Sequence, residues 1–227
     1  KGMQTLTDDL SDKLQPHLLL STEVTKLDIR ETNTTIHFKH RPPMVADYVF
    51  STLPAHILKE LVHLQPLKKG LENFQSTSVA VVSLGFKSEV MSQKGFGYLV
   101  PSSEQEEILG VVFDSSIFKE QNRNFKTRLT VMIGGAHFTN FDRYRKEDFL
   151  KIALKAINKH LKVTSLPDVS HVEVAKNAIS QYLIGHEKRV RALEEMIPSH
   201  VKILGSSFFG VSVNDCIATS RFTAENF

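Results

Sequence analysis

The most restrictive feature of this sequence is an apolar run that ends in small residues near the C-terminus. Val201–Leu204 leads into Gly205-Ser206-Ser207, and a segment free of proline that suits a helix follows Gly210. This order predicts a strand that delivers a helix N-terminus to the bottom of a pocket. A helix N-terminus carries unpaired N–H groups and a partial positive charge, so it can hold an electron-rich ligand. The same residues also fit an ordinary turn between a strand and a helix.

Composition excludes several classes of protein. The 227 residues are 41% hydrophobic and 23% charged, as is typical of a globular chain. The net charge of +3 comes from scattered residues, which gives no basis for nucleic-acid binding. One cysteine, Cys216, excludes an internal disulfide and a cysteine metal cage. The ten histidines lack the spacing of a metal site, and no nucleophile motif occurs, so we predict no metal and name no catalytic residue.

Hydrophobic periodicity divides the chain into blocks. Residues 1–65 read as a helix, a small β meander with short strands at 18–20, 22–29 and 34–40, a buried strand at 47–53 and a short helix with Pro54 at its first position. Residues 66–198 contain β-branched runs that predict strands at 76–86, 96–101, 108–114, 128–134 and 169–174. They also contain an amphipathic helix at 146–161. Residues 199–227 contain a strand and a helix that resemble those of the first block, and the two blocks are expected to form parts of one sheet. No apolar run reaches the ~18 residues of a membrane span.

Leucines at helical spacing open the chain, where Leu6, Leu10 and Leu14 follow Met3. A natural chain seldom starts inside a helix. We therefore expect that the natural N-terminus lies upstream and that this sequence is a C-terminal portion of a longer protein.

Several segments, in this order, resemble the flavin-dependent amine-oxidase superfamily and, within it, the protoporphyrinogen oxidase family. The segments that carry the resemblance are Asp47–Pro54, Gly95–Ser103, Leu109–Ser115, Thr130–Gly135 and Gly210–Ile217. Each alone is a weak signal, but several in the right order are specific, and they extend from Met3 to about Thr223. The resemblance implies a mixed α/β (α+β) fold. In it, part of a FAD-binding Rossmann-like domain, 1–65 and 199–227, is interrupted by a mixed-sheet substrate-binding domain, 66–198.

The resemblance implies a reaction and a cofactor. The family removes six electrons from protoporphyrinogen IX with FAD as cofactor and O2 as acceptor, to give protoporphyrin IX in haem biosynthesis. Val24 is similar to the residue whose backbone meets the adenine end of FAD. Val211, Ser212 and Val213 are similar to the backbone that meets the isoalloxazine ring, whose reduced form is negatively charged near its pyrimidine edge and suits a helix N-terminus.

Four apolar residues resemble the walls that enclose the tetrapyrrole: Phe96, Leu99, Val112 and Met132. A large apolar substrate needs a mostly apolar pocket, and Phe96 and Leu99 could grip opposite faces of it if their loop folds over. For Val112 and Met132, simple core packing is an equally good interpretation.

The family is further expected at the mitochondrial inner membrane, on the intermembrane-space side. It is expected to associate peripherally through a part outside these residues, and to form a homodimer. Two positions depart from the family pattern: Ser180 replaces a usual proline, and Glu187 replaces a large apolar residue near the flavin. The Gly-x-Gly-x-x-Gly fingerprint and its acidic ribose partner are absent, so we expect these 227 residues alone to bind FAD poorly and to be inactive.

Two other functions remain open on the sequence. A flavin amine or polyamine oxidase would use aromatic residues before the last helix, and Phe208-Phe209 offers them, although the Gly95–Pro101 run argues against it. A non-catalytic half-protein that binds partners or porphyrins is the other alternative.

Overall fold

The computed structural model describes residues 2–227. In this range the helices are α1 (Gln4–Leu14), α2 (Ala55–Leu61), α3 (Gln65–Leu71), α4 (Asp114–Ile117), α5 (Lys146–Leu161), α6 (His186–Glu195) and α7 (Val213–Glu225). The strands are β1 (Val24–Ile29), β2 (Thr34–Phe38), β3 (Met44–Ala46), β4 (Val49–Ser51), β5 (Gln75–Phe86), β6 (Gly97–Leu99), β7 (Ile108–Val112), β8 (Thr127–Gly134), β9 (Val169–Gln181) and β10 (Val201–Ile203). The mixed α/β fold class predicted from the sequence is confirmed.

The chain forms two compact units. The first comprises Lys1–Ser76 and Ser180–Phe227, and the second comprises Thr77–Ile179. The sequence placed the domain borders at 65/66 and 198/199. The borders differ because α3 and α6 both pack into the core of the first unit, where their leucines join that of β1. The assignment of these units to FAD and substrate stays a prediction.

The first unit contains two small sheets. Strands β1, β2 and β3 form an antiparallel meander, and β10 pairs in parallel with β4 through Val201↔Val49 and Ile203↔Ser51. Burial of the inward side chains of α2, α3 and α6 against β1 and β10 forms the core. The parallel pair places Gly205 just beyond the carboxyl end of β10, which is where ligands bind in open α/β sheets.

The second unit is a five-stranded sheet in the order β6-β7-β8-β5-β9. Its β8 alternates strictly: Leu129, Val131 and Ile133 are buried, while Thr130 and Met132 are half-buried on the opposite face. Amphipathic α5 packs on the first face through Phe149, among others. The other face of β6, β7 and β8 carries the side chains considered below.

Local patterns predicted most elements but not all. Helix α5 and strands β1, β2, β5, β7 and β8 lie where periodicity placed them, to within two residues, and α7 follows Gly210 as expected. A strand expected at Leu18–Leu20 is wrong, because those residues form no ladder. Pro54 is the residue before α2 and not its first turn. In residues 2–227 we find no helix that is both long and apolar enough to cross a bilayer.

Candidate functional site

The N-terminus of α7 is organised by a reciprocal cap. The Asp215 N–H donates to Ser212 Oγ at 3.0 Å, and the Asp215 carboxylate accepts from the Ser212 hydroxyl at 2.7 Å and from its N–H at 3.3 Å. Such a capping box satisfies two of the N–H groups that a helix start leaves unpaired. The N–H groups of Val213 and Asn214 have no acceptor within the helix. Both residues are exposed, so these two donors can reach an outside acceptor.

Gly210 precedes this cap in a conformation that requires glycine. Its φ is +119°, in the left-handed region, and a Cβ added there would lie 2.4 Å from the Asp215 Cβ. The backbone therefore passes directly against the capping carboxylate. Any larger residue at Gly210 would push on Asp215 and disturb the start of α7.

Tyr182 and His186 hold the loop that leads to Gly210. Their rings stack with centroids 3.7 Å apart and planes 12° apart. The Tyr182 hydroxyl donates to the Ser206 carbonyl at 2.9 Å and accepts the Gly210 N–H. His186 Nε2 donates to the Phe208 carbonyl at 2.9 Å, since a carbonyl can only accept. The two side chains thus fix three backbone groups within five residues.

A cavity of about 810 Å³ opens beside this pair. Its lining residues are Tyr182, Leu183, Gly185, His186, Glu187, Lys188, Phe208, Phe209, Gly210, Asp215 and Thr219. Burial raises the pKa of Tyr182, an effect that the Gly210 N–H partly offsets and that the nearby Cys216 and Asp215 reinforce. The phenol therefore stays protonated at neutral pH and keeps its donor for Ser206.

Three of the four predicted substrate residues share one face of the second unit's sheet. Gly110 pairs with Leu99 on β6 and with Met132 on β8, while Val112 pairs with Thr130 in the next row. Cross-strand partners point to the same face. Leu99 is 84% exposed, and Val112 and Met132 are half-buried. The structure thus brings Leu99, Val112 and Met132 together on the face opposite α5.

Two glycines make this face flat. Gly97 pairs with Val112, and Gly110 lies between Leu99 and Met132. A Cβ on Gly110 would lie 2.3 Å from the Tyr98 carbonyl oxygen, and one on Gly97 would lie 2.1 Å from that of Val111. Neither position admits a side chain, so one row has a gap between Leu99 and Met132 and the other has a gap beside Val112. We call this surface, formed by Gly97, Leu99, Gly110, Val112 and Met132, the apolar bed.

Phe96 adjoins Gly97 of the apolar bed in sequence but lines a different cavity. It precedes β6, is 72% exposed, and lines a cavity of about 460 Å³ whose walls also include Met91, Ile117 and three lysines. Leu99, Val112 and Met132 are not among the residues that line that cavity. A grip by Phe96 and Leu99 on opposite faces of one ligand stays a prediction.

The remaining predicted residues lie in the first unit. Val24 begins β1 and packs against the core with its side chain half-buried. The contact predicted for its backbone with adenine stays a prediction. Of the two departures from the family pattern, Ser180 lies near the end of β9, and Glu187 is exposed in the first turn of α6 and lines the 810 Å³ cavity. An acidic residue in the first turn of a helix interacts favourably with the helix dipole.

Comparison with known proteins assigns the family. The family model described as flavin containing amine oxidoreductase matches residues 1–226. This chain belongs to that family. It is 36% identical over 189 residues to the protoporphyrinogen oxidase of Macaca fascicularis, and the match covers 79% of this chain and 40% of that protein. It is 27% identical over 222 residues to the coproporphyrinogen III oxidase of Bacillus subtilis, which covers 95% of this chain and 47% of that protein.

A solved structure shows the same fold. A crystal structure from Exiguobacterium, provisionally named a protoporphyrinogen oxidase, superimposes with a TM-score of 0.86 at 20% identity and covers 99% of this chain and 50% of that one. The chain thus spans 40 to 50% of the length of these three proteins. The cofactor prediction is confirmed at the level of the family, which is a flavin family.

The residues at the start of α7 fit a flavin. Two outward N–H donors, a glycine without a side chain and a capped helix N-terminus suit the carbonyl-bearing edge of an isoalloxazine ring. The sequence had indicated Val211, Ser212 and Val213 for this role. It did not reveal Tyr182 and His186, although their spacing of four residues around Gly185 was visible. Their stack depends on the φ of +82° at Gly185, which local patterns do not fix.

Proposed function

We propose that this chain is the C-terminal portion of an FAD-dependent porphyrinogen oxidase that converts protoporphyrinogen IX to protoporphyrin IX with O2 as acceptor. The observation that carries the proposal is the apolar bed, on which Leu99, Val112 and Met132 lie around two glycines that cannot carry side chains. A broad and largely apolar ring system matches such a surface in shape and polarity. The names of the relatives agree with this class of substrate.

The roles of the chain's own residues follow from this proposal. The apolar bed would bind and orient the tetrapyrrole and exclude water from one face of it. The N–H groups of Val213 and Asn214 would hold the flavin's pyrimidine edge, where negative charge develops on reduction. FAD, when bound, supplies the redox chemistry. The proposal names no catalytic residue.

Protoporphyrinogen IX is favoured over coproporphyrinogen III by the polarity of the bed. The two substrates differ at the ring edge, where vinyl groups in the first replace two of the propionates in the second. Leu99, Val112 and Met132 are apolar, and a carboxylate placed against them would lose hydration without gaining a partner.

The proposal extends to location and assembly. We place the complete protein at the mitochondrial inner membrane, on the intermembrane-space side, attached peripherally through residues outside this sequence, and able to form a homodimer. Subcellular fractionation with carbonate extraction would check the location.

Turnover tests the function. The protein should be produced from its full natural reading frame, loaded with FAD and supplied separately with protoporphyrinogen IX, coproporphyrinogen III and putrescine while porphyrin fluorescence and O2 uptake are recorded. We expect the highest kcat/KM for protoporphyrinogen IX, with O2 consumed. A preference for coproporphyrinogen III would contradict protoporphyrinogen IX as the substrate. Turnover of putrescine alone would overturn the proposal in favour of an amine oxidase.

A further inference from the structure

We propose that Tyr182 and His186 are positioning residues that set the approach of α7 to the cofactor. The inference rests on the proposed function for the identity of the ligand, while its geometry rests on the structure alone. Neither residue belongs to the predicted flavin-contacting segment, and both lie more than twenty positions before it.

Tyr182 is engaged through its oxygen, although the residue as a whole is only partly buried. It remains 42% exposed, so burial of apolar area alone does not explain why a tyrosine stands there. Its hydroxyl nevertheless donates to the Ser206 carbonyl and accepts the Gly210 N–H. A phenol that both donates and accepts bridges the two ends of a five-residue loop, which a phenylalanine could not do.

His186 fixes the middle of the same loop. Its Nε2–H donates to the Phe208 carbonyl, and its ring lies between Tyr182, stacked at 3.7 Å, and Phe74, edge-on at 5.5 Å. Phe74 in turn packs edge-on against Phe208 at 5.1 Å. The imidazole is therefore held on two sides and can in turn hold the Phe208 carbonyl.

Gly210 connects this loop to α7. Gly210 is bonded to Tyr182 through its N–H, while its Cα lies against Asp215, which caps Ser212. A shift of Gly210 would therefore move the cap and, with it, the N–H groups of Val213 and Asn214. The contacts transmit the position of the Tyr182 hydroxyl to the donors proposed to face the flavin.

Tyr182→Phe tests this role because it keeps the stacked ring and removes only the hydroxyl. Tyr144→Phe is the matched control, since Tyr144 stacks on Phe149 and no hydrogen bond of its hydroxyl is found among residues 2–227. In the protein without flavin, amide hydrogen exchange at Gly210 should accelerate at least tenfold in Tyr182→Phe and stay unchanged in Tyr144→Phe. Unchanged exchange in Tyr182→Phe would overturn the inference, whether or not flavin binds.

The second arm uses the FAD-loaded protein from the full reading frame. Loss of two hydrogen bonds should raise the FAD dissociation constant of Tyr182→Phe about 5- to 20-fold. It should also lower the flavin midpoint potential, because donors near the reduced ring are displaced. His186→Phe keeps a stacked ring and loses the donor to Phe208, and it should also raise the FAD dissociation constant. It replaces Tyr182→Phe as the test if that variant does not fold.

The two proposals fail in different ways. A wild-type protein that binds FAD normally, with Tyr182→Phe and His186→Phe unchanged in both affinity and potential, would contradict the positioning role and leave the proposed function intact. A wild-type protein that binds no FAD would contradict the proposed function, and exchange at Gly210 would then decide the positioning inference by itself.

Discussion

At the scale of single residues, the two candidate surfaces depend on positions where a side chain is absent as much as on those where one is present. Gly97 and Gly110 leave the gaps in the apolar bed, and Gly210 lets the chain pass against Asp215. The apolar residues around the gaps were identifiable from the sequence through resemblance. Their common face was not, because it depends on the pairing of Gly110 with both Leu99 and Met132, which is set by three strands together.

Substitutions in the two surfaces should separate substrate binding from cofactor binding. In the complete enzyme, Phe96→Ala and Leu99→Ala should each raise KM for protoporphyrinogen IX and leave flavin content intact, since loss of a large apolar contact costs about 1–3 kcal/mol. Val213→Asp should expel flavin, because it places a charge and added bulk at the ring. Kinetics and flavin absorbance of the same preparations decide the matter. Loss of flavin in Phe96→Ala with KM unchanged would show that the residues are assigned to the wrong ligands.

At the scale of elements, strong local signals were sufficient for α5 and α7 but not for short or exposed pieces. Strand β3 and helix α3 were not predicted, because three residues after Pro42-Pro43 and seven that include a glycine carry little periodicity. Strand β9 runs on to Gln181, beyond the expected Val174, because it pairs along the edge of β5. Tertiary pairing decided these cases, and propensity did not.

Helix α7 should depend on its cap. Ser212→Ala removes the side-chain acceptor for the Asp215 N–H and should destabilise the first unit by about 0.5–2 kcal/mol. Ser212→Thr keeps a hydroxyl that can accept from the Asp215 N–H and donate to the Asp215 carboxylate, and it serves as the rescue variant. Urea unfolding followed by circular dichroism measures both. Equal stability of the alanine variant and the wild type would mean that the cap does not hold the helix start.

Tyr98 links β6 to α5 and should give the second unit a pH dependence at high pH. Its hydroxyl bonds His160 Nδ1 at 2.8 Å, and burial, aided by the Glu106 carboxylate, raises its pKa from 10.0 to about 12. The unfolded chain loses this proton first, so this contribution to stability is complete below pH 10 and is lost as pH rises towards 12. Unfolding by urea between pH 9 and 12 should show that loss in the wild type. In Tyr98→Phe the decline should be shallower, and identical slopes would contradict the assignment.

At the scale of the whole molecule, two helices expose large apolar side chains. Helix α1 buries none of its residues, with Leu10 49% and Leu14 51% exposed, and helix α7 leaves Phe222 66% exposed. The two-stranded pair of β4 and β10 is the smallest of the sheets. Large exposed apolar areas mark surfaces that other protein normally covers.

The 227-residue chain by itself should therefore self-associate and should bind FAD poorly. The sequence lacks the Gly-x-Gly-x-x-Gly loop that holds a dinucleotide phosphate, and its unpaired strand edges favour aggregation. Light scattering against concentration and the visible spectrum after incubation with FAD check the two parts. Phe222→Glu should reduce association. A chain that is monomeric and cooperatively folded at high concentration, or that carries stoichiometric flavin, would contradict this prediction.

The central claim is that the apolar bed receives the tetrapyrrole, and its most direct test is a crystal structure of the complete protein with protoporphyrin IX bound. The ring should lie over Gly97 and Gly110, in van der Waals contact with Leu99, Val112 and Met132. A ring bound elsewhere, with these three side chains free of contact, would contradict the account.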